Sequence, residues 1–235
     1  MVTLPRLVLL PGMDGSGTLF EPLLAQLGPD LPTTVVRYPP DQPLGYVELE
    51  ALVRAVLPKR GPYFLLGESF SGPIALSLAA QQPGDLQGLL LCCTFARNPY
   101  PSLAIAQALL PFLRFGHPPL WLLETLLLGK DRRPALSQAL NQALAPLTDR
   151  TMKARLSAVL SVSPPPRLDH IQIPSLYLQA QSDRVVPARA YDALLGLLPN
   201  LHKASLAGPH CLLQTQPAAA AQVIRNFIKQ HTRLR

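Results

Sequence analysis

The sequence predicts an α/β fold: a mostly parallel, doubly wound sheet of about six strands, with helices on both faces and one helical insertion. Three observations predict it. Short apolar runs bounded by Pro, Gly or Asp recur along the chain, segments of helical spacing lie between them, and one long interval has helical spacing with no strand. The 235 residues fit one such domain. With 48% hydrophobic and 15% charged residues, the chain can bury a sizeable core and is excluded from the disordered class. Its 27 prolines punctuate elements, since 14 glycines leave the combined share too low for a low-complexity chain.

Residues 7–10 form the first expected strand, closed by Pro11 and Gly12. A helix over 20–27 follows, with Thr18 and Glu21 spaced for a capping box and Pro22 tolerated in the opening turn. Strands are expected at 33–38, 63–66 and 86–93, and helices at 47–57 and 73–80. The strand segments are short apolar runs and read as buried strands. Between 97 and 167 no strand is evident, while 103–115, 120–128, 136–144 and 151–162 show helical spacing. Pro164, Pro165 and Pro166 end that interval, because proline cannot continue a helix and disfavours helix in the residue before it. Strands at 173–180 and 201–206 and helices at 188–198 and 218–229 complete the pattern. The expected division is a core of 1–96 and 168–235 and a helical cap of 97–167.

Cys92, Cys93 and Cys211 have neither a zinc-site spacing nor the makings of a disulfide framework, which favours a reducing compartment. The first apolar run is too short for a signal segment, and no stretch reaches the roughly 18 apolar residues of a membrane span. A cytoplasmic protein with no transmembrane segment is expected. The net charge of +7 would suit nucleic acid, but no nucleic-acid motif accompanies it and aromatics are only 6%. No nucleic-acid partner is expected.

The sharpest local signal is Gly67-Glu68-Ser69-Phe70-Ser71-Gly72, between an expected strand and an expected helix. A serine there sits on a strained turn with its hydroxyl exposed above the sheet, and small neighbours let strand and helix pass closely. Ser71 stands where a second glycine is usual, and a lone G-x-S-x-S also occurs by chance, so partners are required. The Gly-rich stretch from Pro11 to Gly17 follows the first strand and suits an oxyanion loop, with the Met13 and Phe70 amides as donors. Its rival, a phosphate-binding loop, lacks the ordered glycines and the lysine that role needs. Asp183 and His210 both fall at C-terminal strand ends, the edge where open α/β sheets bind ligands, and the order Ser69, Asp183, His210 is the one a hydrolase elbow demands. Taken alone, Asp183 before Val-Val-Pro reads as a helix N-cap and His210 as a solvated loop residue. His170 and His202 belong to the opposite edge, His117 to the insertion and His231 to the tail. The cysteines read as small hydrophobes, with no thiol catalysis.

With these motifs, the sequence resembles the α/β-hydrolase family of small serine esterases and lipases, over nearly the whole chain outside the insertion. The resemblance implies Ser69 as nucleophile, His210 as base and then acid, Asp183 as its orienting carboxylate, and Met13 and Phe70 as oxyanion hole. It also implies a helical cap after the fourth strand. Two departures stand out: Pro11 replaces a histidine common before the oxyanion glycine, and the family's N-terminal antiparallel hairpin is missing, which predicts a smaller sheet.

The expected activity is carboxylic ester hydrolysis on short to medium acyl chains through an acyl-enzyme at Ser69, with no metal or organic cofactor. An acyltransferase or thioesterase shares that chemistry, and a ligand-binding protein without catalysis could share the scaffold. From the leucine-rich insertion, Leu110, Leu113, Trp121 and Leu122 are expected to line an acyl pocket for a small-molecule ester. The interval 97–167 holds nine basic residues, among them Arg132, Arg133 and Arg155, against three acidic ones. A basic lid of that kind suits an acidic acyl-carrier protein as partner, against the alternative of an ordinary solvated surface.

Overall fold

The structure is a computed structural model that describes residues 5–102, 119–198 and 200–232. Six strands, β1 (Arg6–Leu10), β2 (Thr33–Val35), β3 (Tyr63–Glu68), β4 (Leu86–Cys92), β5 (Ser175–Ala180) and β6 (Leu201–Leu206), form one sheet in the order β2-β1-β3-β4-β5-β6. Every neighbouring pair is parallel. The chain therefore steps outward from β1 to β2, then crosses back to place β3 on the other side of β1. That reversal opens a crevice beyond the carboxyl ends of β1 and β3.

Alternation along each strand divides the core into two layers. Val8 and Leu10 face one layer, covered by α2 (Tyr46–Val56), α3 (Gly72–Ala80) and α7 (Arg189–Leu195). Leu7 and Leu9 face the other, covered by α1 (Glu21–Leu27) and, near the end of the chain, by α8 (Leu212–Thr215) and α9 (Pro217–His231). Helix α9 buries Ala220, Ala221, Ile224, Phe227 and Ile228, an i, i+1, i+4, i+7, i+8 stripe, and carries Lys229 and His231 where the helix dipole favours cations. It packs on α1, and Arg225 of α9 pairs with Asp30 just past α1 at 2.5 Å.

Between β4 and β5 lie α4 (Leu120–Leu127), α5 (Pro134–Leu144) and α6 (Asp149–Ser161). The helix expected over 103–115 lies outside the described residues. Thr148 caps α6, its hydroxyl accepting from the Thr151 amide at 3.2 Å. A small apolar cluster of Leu128, Leu140 and Cys211, with Leu19 and Leu123 packed on it, joins these helices to the loops after β1 and β6.

Two local expectations are corrected. Thr18 does not cap α1: it opens a 3-10 turn, Thr18–Phe20, and its hydroxyl bonds Ser16 Oγ at 2.8 Å, while α1 starts at Glu21 with Pro22 in its first turn. The second strand stops at Val35 because the chain leaves the ladder for the loop after β1, where the Tyr38 amide donates to the Gly15 carbonyl at 2.8 Å.

Candidate active site

Strand β3 ends at Glu68, a 3-10 turn spans Ser69–Ser71, and α3 begins at Gly72. Ser69 has φ 46°, a left-handed backbone that costs a non-glycine residue on the order of 1 kcal/mol and aims its hydroxyl out of the sheet. Gly67 is required by proximity: a β-carbon there would stand 2.8 Å from Ala75 Cβ and 2.9 Å from the Ser71 carbonyl oxygen. Ser71 departs from the expected glycine and is fully buried, yet its hydroxyl is used twice. It donates to the Pro11 carbonyl and bonds the Tyr38 hydroxyl at 2.7 Å. The elbow is thereby tied to the loop after β1, which holds the two candidate oxyanion donors, Met13 and Phe70, in one unit. Phe70 is fixed in turn by stacking on Tyr46, with ring centroids 4.8 Å apart.

The Ser69 Oγ lies 2.8 Å from His210 Nε2, and His210 Nδ1 lies 2.8 Å from Asp183 Oδ2. The side chains of His210 and Asp183 are only 6% and 7% exposed, so little water competes with their hydrogen bond. Asp183 Oδ1 also accepts from the Val185 and Val186 amides, each at 2.8 Å, which locks the carboxylate's orientation. The N-cap reading of Asp183 fails because α7 starts six residues later, at Arg189. The arrangement can do one thing well: take the serine's proton onto an imidazole whose second nitrogen faces a buried carboxylate.

Sequence reasoning missed the contacts of five residues of this neighbourhood. Arg155, counted among the basic residues of the insertion surface, is 1% exposed. It reaches from α6 into the core, donating from Nη1 to the Met13 and Asp14 carbonyls at 2.6 and 3.0 Å and from Nη2 to the Pro39 carbonyl at 3.0 Å. Burial pulls its guanidinium below its usual pKa, the nearby Asp14 opposing. Gly15, at φ 71°, leaves room for it, since a β-carbon there would come within 2.7 Å of Arg155 Nη1. Glu68 and Gln214 form a buried pair, with Gln214 Nε2 donating to Glu68 Oε1 at 2.9 Å, and burial pushes the Glu68 carboxyl up to about 7. Cys93, at φ 48°, brings its sulfur to the His210–Asp183 pair, the three ligand-type atoms lying within 4.8 Å of one another. The imidazole and carboxylate there already bond each other.

A cavity of about 670 Å³ opens at Ser69 and His210 and runs beneath the inserted helices, lined by Leu123, Leu127, Leu140, Leu144 and Met152. Trp121 and Leu122, expected among its lining residues, are corrected to the outer face of α4, with 63% and 38% exposure. Leu120, Leu123 and Leu127 follow the i, i+3, i+7 stripe that faces inward, and the next two positions after Leu120 rotate away from it. Leu110 and Leu113 lie outside the described residues, as do Arg114 and His117. The other histidines keep their distance from the site: His170 and His202 are exposed and His231 packs on Phe227 in α9.

Comparison with known proteins agrees with this architecture. A model of the alpha/beta hydrolase family matches residues 7–223. A pimeloyl-[acyl-carrier protein] methyl ester esterase from Xanthomonas oryzae pv. oryzae is 28% identical, with 87% of each chain covered. An enol-lactonase from Burkholderia xenovorans superimposes with TM-score 0.83 at 16% identity, covering 97% of this chain and 92% of the other. A thermophilic esterase from Thermogutta terrifontis gives TM-score 0.81 at 19% identity, covering 97% and 91%. At those identities the two structures speak for the fold, a six-stranded parallel version of which is seen here. No helix among the described residues is long and apolar enough to cross a membrane. With a matching family model over most of its length and a strand-turn-helix bearing Ser69 at the sheet's switch point, the chain belongs to the alpha/beta hydrolase family and is a hydrolase of the esterase type.

Proposed function

We propose that the protein hydrolyses carboxylic esters with Ser69 as nucleophile, His210 as general base and then acid, and Asp183 as the group that orients and stabilises the imidazolium. The observation that carries this is the unbroken hydrogen-bonded line from Ser69 Oγ through His210 to Asp183, at 2.8 Å in both links. Ser69 attacks the ester carbonyl, the alcohol leaves with the proton held by His210, and water activated by the same imidazole releases the acid. The Met13 and Phe70 amides serve as oxyanion donors, a contribution of about 3 kcal/mol for each. Residues 97–167 act as the helical cap over a core of 1–96 and 168–235, and the leucines of α4 and α5 receive a short to medium acyl chain. Three free, buried cysteines favour a reducing, cytoplasmic setting. A serine-directed fluorophosphonate tests the assignment. Labelling of the native protein and none of Ser69→Ala is expected, whereas labelling of both would overturn it.

One observation favours a carrier-bound ester over a free one. The turn Gly129–Asp131 abuts the His210 loop: the Cys211 amide donates to the Leu127 carbonyl at 2.9 Å, and a β-carbon on Gly129 would touch Pro209 at 3.3 Å. Lys130, Arg132 and Arg133 are exposed there, beside the cavity, and a relative acts on a pimeloyl-[acyl-carrier protein] methyl ester. Arg155 is removed from the cap's positive surface by its burial and Arg132 pairs with Glu124 at 3.5 Å, so the case rests on these three against Glu124 and Asp131. Turnover of a carrier-bound acyl methyl ester should fall steeply with salt and with Arg132→Glu plus Arg133→Glu, while a small neutral ester is unaffected by either. Equal loss on both substrates would sink the carrier.

A further inference from the structure

Helix α6 meets both the cavity and the loop after β1 with a single face. Thr148, its N-cap, and Met152 line the cavity, and Arg155 continues their stripe, the three standing at i, i+4 and i+7. About one turn past Met152, Arg155 reaches the turn Gly12–Gly15, which is closed by the Gly15 amide on the Gly12 carbonyl at 3.1 Å. Its Nη1 donates to both central carbonyls of that turn, Met13 and Asp14, and its Nη2 to Pro39. The guanidinium carbon stands 5.8 Å from the centre of the Tyr38 ring. No backbone amide among the described residues bonds any of these three carbonyls, so the guanidinium is what holds them. The start of α6 is tied to the same region, the Thr148 amide donating to the Pro40 carbonyl at 3.2 Å. The peptide planes that follow the Met13 amide are therefore held from α6, and α6 also forms part of the wall that a bound acyl chain meets.

We propose that Arg155 is a positioning residue that makes the oxyanion hole answer to the acyl chain: a chain packed against Met152 seats α6, and Arg155 carries that seating to the turn bearing the Met13 amide. This rests on the ester-hydrolase reading above and deepens it. Arg155 touches no reacting atom and acts only through the carbonyls it holds. A planar guanidinium suits the task, because its fork fixes several carbonyls in direction as well as distance, which an ammonium does not. An acetyl group ends beside the reacting carbonyl, whereas a hexanoyl chain runs on into the apolar cavity that Met152 shares with the leucines. Contacts made by those remote carbons are then spent on aligning a donor for the transition state, so a longer chain raises kcat. A passive apolar slot behaves differently, lowering KM at constant kcat.

The test compares 4-nitrophenyl acetate with 4-nitrophenyl hexanoate, with kcat expressed per active site counted by fluorophosphonate labelling carried to its end point. In the native protein kcat is expected to be about tenfold higher for the hexanoate. Arg155→Met should lower kcat about 10²-fold on the hexanoate and only about tenfold on the acetate, bringing the ratio toward one with little change in KM. Arg155→Lys, which keeps a donor, should recover part of that ratio. Met152→Ala leaves the bonds of Arg155 in place and should flatten the ratio as well, and it carries the test where an Arg155 variant fails to fold. A native kcat indifferent to chain length, equal losses on both esters in Arg155→Met, or an unchanged ratio in Met152→Ala would overturn the coupling. A loss of labelled sites with native kcat at those remaining would reduce Arg155 to a structural part and overturn it too. No turnover of either ester, together with no labelling of the native protein, would instead overturn the hydrolase reading itself.

Discussion

The two walls of the cavity are built on different physics. The core wall is made of loops after β1, β3, β5 and β6, and its groups are held by directed bonds: Ser71 to Pro11, Asp183 to two amides, Gln214 to Glu68. The opposite wall, from α4, α5 and α6, presents mainly leucines and Met152, whose contacts have no preferred direction, with Asn141, Thr148 and Asp149 among them. A reaction centre needs atoms fixed to within a few tenths of an ångström, which hydrogen bonds and a strained turn supply. A chain-receiving wall needs volume, and volume-conserving apolar swaps change it gently. Arg155 is where the walls meet, a residue of α6 bonded to the backbone of the core loop.

The contrast predicts a gradient of mutational effects. The largest belongs to the triad: Ser69→Ala and His210→Ala should each lower kcat by several orders of magnitude, and the double variant should be little worse, because the members act as a unit. Asp183→Asn should cost about 10⁴. Additive losses in steady-state kinetics would break the contrast at its strongest point. Next comes Arg155→Met, which unties three carbonyls and loosens the loop bearing Met13. We expect kcat to fall about 10²-fold, with KM changing much less. A rise in KM at constant kcat would move Arg155 to the binding wall.

Glu68 gives a smaller effect with a definite sign. Its carboxyl is raised from an ordinary 4.5 to about 7, chiefly by burial, so the folded protein binds this proton more tightly than the unfolded chain. That stabilising contribution is complete below about 4.5 and lost as pH rises through 7. Glu68→Gln should therefore remove a decline on the order of 3 kcal/mol between acid and alkaline solution, seen in urea midpoints of the two proteins. Parallel pH curves would refute it. The smallest effects belong to the insertion. Leu123→Ala or Leu127→Ala should shift acyl-length preference by roughly tenfold, while Trp121→Ala, on the outer face, should leave the preference alone.

Much of this was legible in the sequence. β1, β3, β4 and β5 are recognisable as buried apolar runs ended by turn residues, whereas the edge strands β2 and β6 are less buried than expected because each has a neighbour on one side only; Ser69, Asp183 and His210 stand out because each follows a strand at its carboxyl end. Arg155 and Gln214 were not, because their partners lie 142 and 146 residues away and nothing nearby marks the contact. Trp121 was misplaced for another reason. A leucine-rich helix such as α4 offers apolar residues on all sides, so composition cannot say which stripe turns inward. Ser71 shows that a departure from a motif can be a substitution of one constraint for another, a buried hydroxyl bond in place of a missing side chain.

The closing of α9 over α1 bears on how the protein is made. Arg225 and Asp30 are 195 residues apart, and Phe227 meets Phe64 with ring centroids 6.0 Å apart. At ordinary translation rates of about 5–20 residues per second, the first strands leave the ribosome on the order of ten seconds or more before the helix that covers them. Throughout that time the face of the growing sheet that carries Leu7, Leu9, Phe64 and Leu66 is covered on one side only, by α1, and lacks the cover of α8 and α9. Nascent chains of this protein should consequently depend on a chaperone that shields apolar strands, and a ribosome-stalled chain cut before α9 should hold on to it where the full-length chain lets go.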